Sequence, residues 1–178
     1  MAEIKSAIEI AMEKTKTLRL SSEEKEKIKE EEFQSKAHGL VNRFLVVDLH
    51  FREVEKELAK YSSEQRGQLE KIMLADLADA LDLDRNNDLV FEGIETLSPE
   101  KKKTILAAKE LMRKYQEQRG AEYRKTQEVL RSKLEAMDVS GSAVLPKVEG
   151  SLEWAKALPS FQASYQIQLQ ALKEEIKR

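Results

Sequence analysis

Between Phe33 and Tyr61 the apolar positions fall at Phe33, Ala37, Leu40, Phe44, Val47, Phe51, Val54, Leu58 and Tyr61. Steps of four and three residues alternate without interruption. That heptad spacing puts one continuous apolar seam on an α-helix, which must then be buried against other helices. From Leu40 to Phe51 the seam widens through Val41, Leu45, Val46 and Leu49. A helix apolar over most of its circumference needs neighbours on more than one side. The pattern therefore predicts a single helix over about 22–61, with its middle in the core of a multi-helix domain.

The rest of the chain supplies the neighbours. Ile4, Ile8, Ala11, Thr15 and Leu18, flanked by Met12, give a thin one-sided face and predict a helix over about 3–19 that covers a core or a partner. Ser21 and Glu24 have capping-box spacing, as do Ser62 and Gln65. The stretch Glu23–Glu32 has only Ile28 to bury and reads as a solvated helix face. Leu69, Ile72, Met73, Leu77, Ala80 and Leu81 form the face of a helix that follows Ser62, packed antiparallel to the end of the first long one. Ser98-Pro99-Glu100 is a helix start. The stripe Ile105, Ala108, Met112, Tyr115, Arg119, Tyr123, Thr126, Leu130, Leu134, Met137 then predicts a second long helix over about 98–138.

Residues 139–150 carry Ser140-Gly141-Ser142, Pro146 and Gly150 and predict a mobile loop. Ser151 starts a short helix through Leu158, and Pro159 opens a last one to about Lys177. Gly39 and Gly120, inside the long helices, suggest close approach of a neighbour. The expected fold is a single all-α domain over 1–178. It is an elongated helical bundle in which the two long helices, about 22–61 and 98–138, lie against each other with shorter helices around them.

Composition supports this and narrows the function. Of 178 residues 36% are charged, with 6 Gly, 3 Pro and no Cys. Few breakers mean long helices. The lack of cysteine rules out disulfides and thiolate metal sites and suits a cytoplasmic setting. No apolar run approaches the ~20 residues of a membrane span, and Met1-Ala2-Glu3-Ile4-Lys5 lacks the apolar region of a secretory signal. Charge is uneven: residues 61–98 carry three bases and nine acids, and residues 99–138 eleven bases and seven acids. The simplest expectation is that these segments lie side by side and neutralise each other. A nucleic-acid surface would need a far more basic domain.

Three features carry candidate chemistry. The segment Asp84 to Glu95 resembles a calcium loop in spacing, with oxygen donors at Asp84, Asn86, Asp88, Glu92 and Glu95. It departs at the sixth place, where Leu89 stands instead of the glycine that the sharp turn requires. Lys101-Lys102-Lys103 opens a helix where cations oppose the dipole; Glu92, Glu95, Glu100 or a bound anion would offset them. Tyr115, Arg119 and Tyr123 put an arginine between two rings, for stacking, for an acid on a neighbouring helix, or for a second chain. His50 and Glu53 stand three apart, but the di-iron pattern of helical bundles has the opposite order and occurs twice. No phosphate-binding or dinucleotide-binding glycine motif and no Ser/His/Asp order is present. The sequence thus predicts a non-catalytic structural or adaptor protein without a cofactor, acting through helix–helix contacts with a protein partner or with a second copy as a homodimer. Calcium binding at 84–95 and anion or nucleic-acid binding through 99–138 are the alternatives.

Overall fold

The computed structural model describes residues 21–141 and 144–178, and the helix expected over 3–19 lies outside them. The described residues are helical and contain no strand. The helices are α1 (Ser22–Leu45), α2 (Phe51–Leu58), α3 (Ser63–Ala80), α4 (Asp88–Leu97), α5 (Lys102–Glu135) and α6 (Leu152–Lys177), with a 3-10 turn at Pro99–Lys101 before α5. The capping boxes at Ser21/Glu24 and Ser62/Gln65 are both closed.

The helix expected over 22–61 is two helices. α1 stops at Leu45, and Val47 takes a positive φ of 61°. Val47 N–H donates to Phe44 O and Asp48 N–H to Arg43 O, each at 3.0 Å. These are the two crossed bonds of a left-handed helix stop, which satisfy carbonyls that the helix end leaves open. The seam therefore folds back on itself. Phe44 meets Phe51 edge-on at 5.3 Å between ring centres, and Phe33 meets Tyr61 at 6.1 Å. Heptad spacing survives the turn because both arms point the seam inward. Only Val46 and Val47, at the bend, are left largely exposed.

The frame also differs from the expected one. The helices expected to lie against each other are not the main partners: α1 packs on α3, and α5 packs on α6. α3 joins the two pairs, because it also touches α4 and α6. α1 and α3 run in the same direction: Glu26 to Gln34 lie beside Glu64 to Ile72, and further along His38 pairs with Asp76. α5 and α6 are antiparallel, with Tyr123 near Trp154 at one end and Thr104 bonded to Glu175 at the other. One cluster of buried side chains takes residues from all six helices, including Val41, Leu58, Leu77, Ile94, Tyr115 and Phe161.

Three details correct the reading of breakers. Gly39 and Gly120 have open space where a Cβ would stand, so neither serves close packing. Gly93 does: a Cβ there would lie 2.9 Å from Leu77 and 3.0 Å from Phe44. α6 runs unbroken through Pro159. Buried Trp154 and Phe161 hold the helix on both sides of the proline, and tertiary packing overrides its local cost. The segment before α6 is irregular, as expected, but anchored near its end. Val148 is fully buried and Glu149 accepts from the Tyr123 hydroxyl at 3.3 Å.

Candidate functional site

The acidic stretch 82–95 is held from within. Asn87 is buried and its amide ties the turn together: Oδ1 accepts from Asp82 N–H at 2.9 Å, and Nδ2 donates to Asp82 O at 2.7 Å and Arg85 O at 2.8 Å. Asn86 Oδ1 accepts from Asp88 N–H at 2.7 Å, an Asx turn that starts α4. Helix thus begins at the fifth place of the expected calcium loop, and Leu89 sits in a helical turn where no glycine is required.

The five donors of that loop are dispersed. Asp84 accepts from Tyr115 Oη at 2.9 Å and Gln162 Nε2 at 3.1 Å, and Arg119 Nε stands 3.7 Å away. Glu95 pairs with Lys109 at 2.8 Å. Glu92 is exposed. Among the described residues, no group of three or more His, Asp or Glu side chains is arranged to hold a metal ion. The pairs Asp84–Arg119 and Glu95–Lys109 join the acidic segment to the basic helix, which is the neutralisation that the charge distribution suggested.

Tyr115, Arg119 and Tyr123 separate into two environments. Tyr115 is fully buried against Phe161 and Tyr165. Burial, with the hydrogen bond to Asp84, pushes its hydroxyl pKa up to about 12. Arg119 reaches Asp84 on the turn after α3. Tyr123 belongs to a smaller distal grouping with Trp154, 5.6 Å away between rings.

The lysines also divide. Lys101 Nζ donates to Glu175 O at 3.0 Å and so caps the C-terminal end of α6. Thr104 Oγ1 donates to the Glu175 carboxylate at 2.9 Å. Lys102 and Lys103 are exposed and make no ion pair with a described residue. The offset for the cationic first turn is therefore a helix end distant in sequence, which sequence spacing had no means to reveal. His50 begins α2, and its N–H donates to Glu53 Oε2 at 3.0 Å, so the i,i+3 pair serves as a helix cap.

Several clefts lie among the described residues, one of them, about 450 Å³, beside Asn86 and Asp88. Another, about 310 Å³, lies between the turn 81–84 and α6, and is walled by Asp82, Asp84, Gln162, Gln166 and Lys173. Burial lowers the pKa of Lys173, whose ammonium donates to Asp79 O at 2.9 Å. A third, about 600 Å³, follows the seam of α5 and α6 past Leu111, Tyr165 and Leu172. A fourth, about 590 Å³, is the groove between α1 and α3. Half-buried Phe33 and Ile72 make its floor. Glu26, Glu30 and Glu64, with Lys29 and Lys71, line its rims. Ile28, in the same exposed part of α1, is 41% exposed. The sequence signal for this groove was the run Glu23–Glu32. It reads as a solvated face, but Glu26, Lys29 and Glu30 of the run border an apolar floor supplied by Phe33 of α1 and Ile72 of α3.

Comparison with protein-family models, with curated proteins and with solved structures finds no match for this chain.

Proposed function

We propose that this protein is a non-catalytic helical adaptor that recognises an amphipathic helix in the groove between α1 and α3. One observation carries the reading: two parallel helices present an apolar floor, Phe33 and Ile72, that no other described helix lines, between rims of mixed charge. Such a trough suits the apolar face of a third helix, with anchors at i, i+3, i+4 and i+7. No described helix is long and apolar enough to cross a membrane. A cysteine-free, charge-rich chain of this kind suits the cytoplasm.

Photo-crosslinking tests the reading. A benzophenone amino acid at Gln68, in the groove, should give a polypeptide adduct in cells that Ile72→Lys abolishes. The same group at exposed Lys125 should give none. Equal adducts at both positions, or none at Gln68, would overturn the assignment.

Self-association is the second reading. Val129, Met137, Leu145 and Leu152 are all exposed around the end of the α5–α6 hairpin that the Lys133–Glu153 pair closes. Large exposed apolar groups gathered at one end favour contact between copies. Light scattering at tens of micromolar should give a dimer mass, and a monomer mass would remove this reading.

A further inference from the structure

We propose that a second copy of this chain docks antiparallel on the outward face of α6, with Ile167 near the centre of the contact. This shares with the self-association reading the claim that copies meet, and it assigns the contact to a different face.

The sequence marks that face. Between Lys156 and Lys173 α6 carries no charged residue, the longest such run in a chain that is 36% charged. The inward side of the run needs no charge, because Phe161 and Leu169 are buried in the core. The outward side is the anomaly. Ser160, Ala163, Ile167 and Gln170 are exposed among the described residues, and Ile167 is 72% exposed. A helix packed on one side normally carries charge on the other. Stripping water from an unpaired ion is costly, so a face that lacks ions altogether suits a surface that is dried by contact.

The spacing sets the occupant. Lys156, Ser160, Ala163, Ile167, Gln170 and Glu174 follow one another in steps of four and three and form one stripe along α6. A base begins the stripe and an acid ends it. A two-fold axis through its middle lays α6 antiparallel on its own copy. Ile167 then packs on Ala163 of the second copy, Ser160 meets Gln170, and Lys156 meets Glu174, each pairing being made twice. The small side chain of Ala163 leaves room for Ile167. Within its own chain Glu174 accepts from Gln170 at 2.9 Å and from Lys177 at 3.3 Å, both through Oε1. Its Oε2 is left to face Lys156 of the second copy. Parallel pairing would set Lys156 against Lys156 and Glu174 against Glu174. An unrelated helix would need a neutral centre with an acid at one end and a base at the other, and this face already has that pattern.

The unaltered chain at tens of micromolar should give a dimer mass by light scattering. Ile167→Asp should give a monomer mass with unchanged helical circular dichroism, and Ile167→Leu should keep the dimer. Lys156→Glu should weaken the dimer about tenfold, and adding Glu174→Lys to it should restore the affinity. The chain contains no cysteine, so Ser160→Cys and Gln170→Cys chains can be mixed and oxidised cleanly. The mixed disulfide should outcompete either same-site one, because like positions stand ~15 Å apart along antiparallel helices. Same-site disulfides in excess, or no rescue by Glu174→Lys, overturn the inference. A dimer that survives Ile167→Asp but is lost in Met137→Asp with Leu152→Asp overturns it too, and leaves the hairpin end as the contact. The reverse result supports it and removes the hairpin end. A monomer mass for the unaltered chain overturns both.

Discussion

Arg43 and Asp48 form an ion pair at 2.9 Å across the end of α1, at the two positions where a left-handed helix stop usually places an apolar contact. Asp48 N–H also donates to Arg43 O at 3.0 Å, so backbone and side chain close the same loop. The residue between them that adopts the left-handed conformation is Val47, a β-branched side chain where glycine is usual. Near the start of the segment before α6 the stop recurs in the ordinary form. Asp138 has φ 59°, and Val139 N–H donates to Leu134 O at 3.0 Å, with two apolar residues at the paired positions.

Val47→Gly should therefore stabilise the protein. Left-handed backbone costs an L-residue roughly 1–2 kcal/mol, and glycine returns about 0.5–1 kcal/mol of that through its freer unfolded chain. The expected gain is about 0.5–1 kcal/mol in denaturant unfolding with an unchanged m-value. A loss of stability would mean that the valine side chain makes contacts worth more than its strain.

Gly93 and Gly39 should respond in opposite directions to alanine. At Gly93 the new methyl meets Leu77 and Phe44 at 2.9 and 3.0 Å in the core, and overpacking should cost about 1–3 kcal/mol. At Gly39 it meets nothing within 4 Å on an exposed helix face, and helix propensity should contribute up to ~1 kcal/mol. Thermal unfolding of the two variants checks both signs. Equal shifts would contradict the packing around α4.

Tyr115→Phe should destabilise the protein near neutrality, and the difference should shrink in alkali. Its hydroxyl, buried and donating to Asp84, has a pKa raised from 10.0 to about 12. The raised value means that this contribution is complete below pH 10, where folded and unfolded tyrosine are both protonated. It is lost as pH rises through 12, because the unfolded form ionises first. At neutral pH the substitution should cost roughly 1.5–3 kcal/mol, the worth of a hydrogen bond to a charged group. Unfolding free energies of both proteins across this interval check the slope, and parallel curves would refute it.

Asn87→Ala should loosen the turn between α3 and α4 more than any substitution at an exposed acid there. The buried amide satisfies three backbone groups of that turn, and orphaning buried groups costs about 1–3 kcal/mol. Amide exchange should rise at Asp82. Unchanged exchange would place the strength of the turn elsewhere.

Most of the helical content was legible in the chain. Ser21, Ser62 and Ser151 begin helices because capping is a local event, settled within four residues of backbone. The inward seam of 33–61 was legible for the same kind of reason: periodicity records which side of a helix meets apolar neighbours. Its fold back at Val47 was not, because a hairpin and a straight helix satisfy the same heptad. What separates them is a strained backbone repaid by the burial of Phe44, Phe51, Val54 and Leu58 against the rest of the core. Proline at 159 read as a helix end for the opposite reason. Its local cost was visible, and the packing of Trp154 and Phe161 that outweighs it was not.

The candidate chemistry followed the same division. Sequence alone determined an all-helical chain, where most helices begin, and that opposite charges on neighbouring segments would meet. Tertiary structure alone decided which helix packs on which. It sent Asp84 to Tyr115 and Gln162, sent Lys101 to the end of α6, and among the described residues formed a trough between α1 and α3 above Phe33 and Ile72. Caps and amphipathic faces depend on residues a few positions apart, so a linear pattern holds them. Partners tens of residues apart are chosen by how the faces of six helices fill one core together, and no local spacing encodes that choice.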